Sequence, residues 1–255
     1  MYLFLFMSEM KLKLVTIDFW NTLFDASGGN ERNAYRIDHM KNEIARLGIN
    51  INDEQYSRIM EESWEYFNDI WRNELRTPTA RESVEFFTEK FNLPKQSEAV
   101  KRILKVFAES ILFYPPNLID GVKDALDELS RDYKLAVVSD TGFSPGTVLR
   151  RLMYEFDVLH YFEAFSFSDE TKVAKPHKKA FTTVLDQLDV KPSEAIHVGD
   201  IEDTDIKGAK AAGMMAIRFT GDPTAFLNLN RSKNTIADFM SDSWEEIVKF
   251  IKSVK

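Results

Sequence analysis

The sequence predicts an α/β fold: a three-layer core in which a parallel sheet is covered by helices on both faces, with four helices inserted after its first strand. Three observations carry this prediction. Short apolar runs rich in β-branched or aromatic residues recur at strand length, and helical apolar stripes separate the later runs. Between the first run and the second lies far more chain than one crossover helix requires, and that stretch holds four amphipathic segments of its own.

Taken in order, the first strand is Leu12 to Phe19. In the long stretch after it, Ile37, Met40, Ile44 and Leu47 form one stripe, closed by Gly48 as a helix C-terminus should be. Tyr56, Met60, Trp64, Phe67, Ile70 and Trp71 form a second. Thr79 with Glu82 makes a capping box ahead of Val84, Phe87 and Phe91. Ser97 precedes the fourth stripe: Val100, Ile103, Leu104, Phe107, Ile111 and Leu112. Four such helices bury their apolar faces against one another, which predicts a helical cap over residues 27–113 and a core made of residues 1–26 and 114–255. Pro115 and Pro116 mark the return to the core. Further strands are expected at Leu135 to Ser139, Ala164 to Ser168, Ala195 to Val198 and Met215 to Phe219. A weaker strand at Ala237 to Met240 and a helix from Ser243 to about Val254 would close the fold. Helices from Val122, Val148, Phe181 and Ile206 onward supply right-handed crossovers, giving a Rossmann-like core.

Composition narrows the function. A chain of 255 residues that is 44% hydrophobic can bury a sizeable core. A net charge of −8 argues against nucleic-acid backbones and anionic membranes as partners, so a phosphate-bearing ligand must be met by local cations. The absence of cysteine excludes disulfides, thiolate metal sites and thiol catalysis, and fits a reducing, cytoplasmic setting. Met1 to Met7 is apolar but too short to span a bilayer. It reads as an extension, a packed arm, or the consequence of a start at Met7 or Met10.

In an open parallel sheet, ligands bind beyond the carboxyl ends of the strands. Asp18 and Thr22 follow the first strand, Ser139 and Asp140 end the second, Lys175 follows the third, and Gly199, Asp200 and Asp205 follow the fourth. Acids, a hydroxyl and a lysine converging in this way suit phosphoryl transfer with a hard cation. The carboxylate of Asp18 can attack phosphorus and split hydrolysis into two easier steps. Mg²⁺ between Asp18 and Asp200 would relieve their repulsion and neutralise charge on the transferring group. Ser139 can donate to a phosphoryl oxygen, and the compact ammonium of Lys175 can pair with both the phosphate and Asp18. Any one of these residues alone reads equally well as a cap or turn former. Small residues at Lys207-Gly208-Ala209 and Ala211-Ala212-Gly213 fit close packing of strand, loop and helix. Glu202 and Asp203 read as solvated.

With its motifs in this order, the chain resembles the haloacid dehalogenase (HAD) superfamily: Asp18 to Leu23, Val138-Ser139, Lys175-Pro176 and Gly199 to Asp205. The resemblance implies that Asp18 is the nucleophile, Thr22 orders its loop, and Ser139 and Lys175 hold the phosphoryl group with Asp140 beside them. It also implies that Asp200 and Asp205 bind or support Mg²⁺, and that the helical insertion is a C1-type cap that selects substrate. Two departures stand out. Phosphatases of this superfamily usually carry a second Asp two residues after the nucleophile, as general acid and then base; here that residue is Trp20, whose indole exchanges no proton near neutral pH. Its backbone carbonyl still fits the metal-ligand role the family takes from this position. The second motif is usually followed by Asn, whereas this chain has Asp140.

The expected function is a Mg²⁺-dependent phosphatase acting on a small phosphorylated metabolite through an aspartyl-phosphate on Asp18. Without the second acid, good leaving groups such as acyl or aryl phosphates are favoured. One alternative is a 2-haloacid dehalogenase, which needs no metal and carries an aromatic residue near Trp20 but an uncharged serine at Asp200. Another is a catalytically impaired phosphate-binding or regulatory protein. Lys41 is the one lysine of the first cap helix that a phosphonate-cleaving relative would need, and nothing marks it. The spacing of Trp64, Phe67 and Trp71 predicts packing rather than substrate stacking, and His197 reads as a packed histidine. Arg32 and Arg36 fit a substrate contact and an exposed helix face equally. Oligomeric state is not legible.

Overall fold

A computed structural model of the chain describes residues 11–225 and 234–254; the apolar Met1 to Met7 segment lies outside them. Six strands form one sheet: β1 (Leu14–Ile17), β2 (Lys134–Ser139), β3 (Ala164–Phe167), β4 (Ala195–Gly199), β5 (Met215–Phe219) and β6 (Phe239–Ser241). Every pairing is parallel and the order is β3-β2-β1-β4-β5-β6. The first strand is therefore central, with Val15 level with Leu135 on one side and Ile196 on the other. From β1 the chain winds outward to β3, then returns to lay β4 on the opposite side. That reversal makes the β1/β4 boundary the point where crossovers leave a crevice open at the carboxyl ends.

Side-chain alternation builds two apolar layers. On one face, Val15, Ile17, Leu135, Val137, Ile196 and Ile217 pack under helices α5 (Val122–Leu129), α6 (Gly146–Glu155) and α10 (Trp244–Ser253). On the other, Leu14, Ala136, Val138 and Ala216 meet α8 (Lys178–Leu188) and α9 (Lys207–Ala212). Strands covered on both faces read as continuous apolar runs, which is why they were legible in the sequence. The predicted first strand loses its ends: Leu12 is buried ahead of β1, and Phe19 already belongs to the loop that follows.

Between β1 and α5 lie α1 (Gly29–Arg46), α2 (Asp53–Asn73), α3 (Ala80–Lys90) and α4 (Glu98–Phe113), with α1 and α3 packed on α4 and α2 on α3. Their stripes meet in a separate apolar cluster that includes Met40, Ile44, Val84, Phe87, Ile103 and Phe107. Asn52 and Thr79 close capping boxes on α2 and α3, and Ser97 accepts from Val100 N at the start of α4. Gly48, at φ 74, follows the C-cap of α1. Glu43 is fully buried and held by Arg46 Nη1 at 2.6 Å and Arg102 Nη2 at 2.7 Å. One residue from outside the insertion joins this cluster: Phe143, in the loop after β2, whose ring lies 5.2 Å from that of Phe107. The short α7 (Ser168–Thr171) follows β3 directly. Among the described residues, no helix is long and apolar enough to cross a membrane.

Candidate active site

Asp18 leaves the end of β1 buried, its N–H donating to Val198 O at 2.9 Å, so the loop that follows β1 is stitched to β4. The loop then turns tightly. Asn21 takes φ 57 and donates from its backbone to Phe24 O at 2.6 Å, while Leu23 N and Phe24 N both donate to Phe19 O. An asparagine tolerates that left-handed conformation better than most side chains. Thr22 is buried within this turn, and its carbonyl accepts from Trp244 Nε1 at 3.2 Å.

Lys175 Nζ lies 2.6 Å from Asp18 Oδ1 and 2.6 Å from Asp205 Oδ1, all three side chains buried. Asp205 is also held by His197 Nε2 at 3.1 Å on Oδ1, and by Ile201 N at 3.0 Å and Thr204 Oγ1 at 3.3 Å on Oδ2. The other ring nitrogen of His197 lies 2.9 Å from Thr16 Oγ1, inside the sheet. His197 is thus packed, as expected, edge-on to Phe181 at 5.1 Å, and it also orients an acid of the site. Asp205 sits on a wide turn, Glu202–Ile206, whose Ile206 N donates to Ile201 O five residues back. A Cβ on Gly199 would fall 2.4 Å from Asp205 Cγ, which is the packing reason for glycine at the end of β4.

The carboxylates Asp18, Asp200 and Asp205 offer ligand atoms that all lie within 4.8 Å of one another. Burial raises Asp18 to about 6, with Lys175 opposing and Asp205 adding to the rise. Burial, then the charges of Asp205 and Asp18, push Asp200 well above the usual carboxylate range. At Asp205 burial is outweighed by Lys175 and His197, so it stays ionised. At Lys175 burial is likewise outweighed by Asp18, Asp205 and Asp140, and its pKa rises. Three hard oxygen donors against one close ammonium leave negative charge uncompensated, and this donor set suits a divalent cation. Thr22 Oγ1 and Ser139 Oγ are buried without a well-formed hydrogen bond in the protein, although Ser139 sits close enough to Asp18 to favour its ionised form. Buried hydroxyls left in this way are free to donate to an incoming oxyanion.

Asp140 is differently employed. Its Oδ1 accepts from Lys175 N at 2.9 Å and its Oδ2 from Trp71 Nε1 at 3.0 Å. It therefore ties the lysine loop to α2, beside two further ties: Ala174 N donates to Leu75 O at 2.6 Å, and the Thr77 and Ser168 hydroxyls lie 2.5 Å apart. Burial raises its pKa, against the pull of Lys175. Trp20 is half-buried, edge-on to Phe19 at 5.1 Å, with the Arg32 guanidinium 5.7 Å from its ring centre.

Several sequence expectations change. Trp64, Phe67 and Trp71 are not core: Trp64 is 50% exposed, Phe67 is half-buried and Trp71 serves Asp140, whereas Tyr56 of the same helix is buried. Glu202 is not free in solvent, since it accepts from Thr235 Oγ1 at 2.6 Å and Ile236 N at 2.9 Å, with Arg218 at 3.5 Å; Asp203 is exposed and pairs with Lys207. Arg32 and Arg36 are buried rather than on an exposed face, because the loops after β1 and β2 cover that side of α1. Lys41 pairs with Asp53. Thr16 and Trp71 were missed. Their partners are distant in sequence, and no local pattern pairs a strand threonine with a histidine or an indole with a carboxylate.

The profile of haloacid dehalogenase-like hydrolases matches residues 12–213, which contain Asp18, Thr22, Ser139, Asp140, Lys175, Asp200 and Asp205. Among curated proteins, the glyceraldehyde 3-phosphate phosphatase of Pyrococcus furiosus is 36% identical over 139 residues, 52% of this chain and 54% of that protein. The chain spans about half the length of such curated relatives. Among solved structures, a HAD phosphatase from Thermococcus onnurineus is 23% identical with a TM-score of 0.65, over 94% of this chain and 98% of that one. A 2-haloacid dehalogenase from Pseudomonas syringae is 20% identical with a TM-score of 0.71, over the same shares. Both share the fold. With the family profile covering most of its length, the chain belongs to the haloacid dehalogenase-like hydrolases.

Proposed function

We propose that the protein is a Mg²⁺-dependent phosphatase that transfers the phosphoryl group of a small phosphorylated metabolite to Asp18 and then to water. The observation that carries this reading is the buried cluster in which Lys175 spans Asp18 and Asp205 while Asp200 lies within ligand distance. Asp18 and Asp200, with the Trp20 carbonyl, would hold the ion, and Asp205, its oxygens already engaged, would support them. When bound, Mg²⁺ supplies charge neutralisation for the transferring group. The chain's own residues do the rest. Asp18 Oδ attacks phosphorus, the leaving oxygen departs with its electron pair, and water later cleaves the acyl phosphate. Lys175 keeps Asp18 ionised and balances phosphoryl charge, and the unpaired hydroxyls of Ser139 and Thr22 lie in the same buried site. Residues 27–113 act as the cap over the cluster, held closed through Trp71, Leu75 and Thr77.

With Trp20 two residues beyond the nucleophile and both oxygens of Asp140 occupied by N–H donors, neither position protonates a leaving group. General acid help is worth about 10² to 10⁴ in rate. Acetyl phosphate and p-nitrophenyl phosphate should therefore be cleaved faster than sugar phosphates. The test is phosphate release from these compounds with Mg²⁺, which Asp18→Asn should abolish. Chloride release from 2-chloropropionate in the presence of chelator would replace this reading with a dehalogenase, and phosphate bound without turnover would replace it with a non-catalytic binder.

A further inference from the structure

Arg32 and Arg36 stand one turn apart on α1, and both are more than nine-tenths buried. Arg32 has a structural employment: its Nη1 donates to Ser27 O and to Tyr114 O, both at 2.8 Å, joining the chain that enters the four-helix insertion to the chain that leaves it. Arg36 has far less. Its Nη1 reaches Asn33 Oδ1 at 3.1 Å, within its own helix, and its Nε is buried with no partner. Burial and the like charge of Arg32 bring it down to about 9, and among the described residues no acid opposes them. A buried charge is ordinarily matched by an opposite one, as the buried carboxylate of Glu43 is by Arg46 and Arg102 elsewhere in the same bundle. Here the flat face is used, the guanidinium carbon lying 4.7 Å over the ring of Phe143, while of the hydrogen-bonding edge Nη1 meets Asn33 and Nε meets nothing.

The location of this unspent edge is informative. Phe143 follows Ser139 by four residues in the loop after β2, and Trp20, under Arg32, follows Asp18 by two. Both guanidiniums thus rest on the two strand-end loops that carry the nucleophile and the candidate phosphate-binding serine. We propose that Arg36, with Arg32 fixed beside it, forms an anion subsite for the non-reacting end of the substrate, a second oxyanion group, carboxylate or phosphate, supplying the acceptor that its buried Nε lacks. The subsite rests on the phosphatase reading and deepens it: the preferred substrate is a small phosphate ester with a second negative group. Arg36 is then a specificity-determining residue, and the ligand supplies the counter-charge the protein omits.

Binding separates this claim from turnover. Asp18→Asn protein with Mg²⁺ would be titrated calorimetrically with three matched pairs: 3-phosphoglycerate against glycerol 3-phosphate, 6-phosphogluconate against sorbitol 6-phosphate, and fructose 1,6-bisphosphate against fructose 6-phosphate. The first two pairs read a carboxylate and the third a second phosphate. In at least one pair the ligand with the extra anion should bind about tenfold or more tightly. Arg36→Gln should remove that preference while leaving its partner's affinity unchanged, and Arg36→Lys should restore part of it. Equal affinities within every pair, no binding at all, or a preference that survives in Arg36→Gln would each overturn the subsite. If Arg36→Gln fails to fold, the parent pairs and Arg36→Lys still decide. Phosphate release by the unmodified protein is measured separately, and its absence would sink the phosphatase reading without touching the binding result.

Discussion

Three buried carboxylates crowd one ammonium at the end of β1 and β4, so protons and a cation compete to relieve the same repulsion. The consequence for stability has a definite sign. The folded pKa of Asp18, about 6, lies above its ordinary 3.8, and Asp200 is displaced in the same direction. Between those values the folded state holds more protons than the unfolded one, so this contribution is full below pH 4 and is lost as pH rises through about 6. A cation reverses the trend by stabilising the ionised carboxylates. Added Mg²⁺ should therefore raise the melting temperature more at pH 7.5 than at pH 5, and chelation should erase the difference; equal shifts at both pH values would count against the cluster as a cation site. His197 offers a second test. Replacing it with Leu removes one donor from Asp205 and leaves the buried Thr16 hydroxyl only its 3.3 Å bond to Ile196 O. The expected cost is about 1 to 3 kcal/mol in urea denaturation.

At the scale of elements, capping and clasping separate stability from function. Thr79→Ala breaks the capping box of α3, whose bonds lie within the helix's own first turn, and should cost about 1 kcal/mol while leaving kcat/KM alone. Trp71→Phe removes one N–H from Asp140 and loosens the tie between α2 and the lysine loop. Its stability cost should be similar, about 1 kcal/mol, yet kcat/KM should fall, because Asp140 also holds the backbone of Lys175. A Trp71→Phe protein with unchanged kinetics would show that the clasp is only structural.

For the whole molecule, a net charge of −8 would repel the anionic substrate of the proposed reaction, which the local cations of the site would attract. Screening acts on the long-range repulsion far more than on contacts inside a buried site. Raising ionic strength from about 0.01 to about 0.15 M should thus increase kcat/KM, by less than about tenfold, where a basic enzyme would slow. A clear decrease would mean that exposed cations steer the substrate.

The sheet, its order of strand ends and Asp18, Ser139, Lys175, Asp200 and Asp205 were legible in the sequence because each rests on local signals. Strands buried on both faces must be continuously apolar, and parallel crossovers deliver polar residues to one edge. The insertion was legible for a similar reason, since helical stripes, Thr79 with Glu82, and Gly48 are short-range patterns. What the amino-acid order left open were the contacts between distant segments. Whether Trp71 packs in a core or donates to Asp140, whether Asp140 faces a ligand or a backbone N–H, and whether Arg36 meets solvent or is covered by Phe143 depend on how the insertion docks on the strand ends. A residue's own helix fixes the face it occupies, but only the packed neighbour fixes what that face meets.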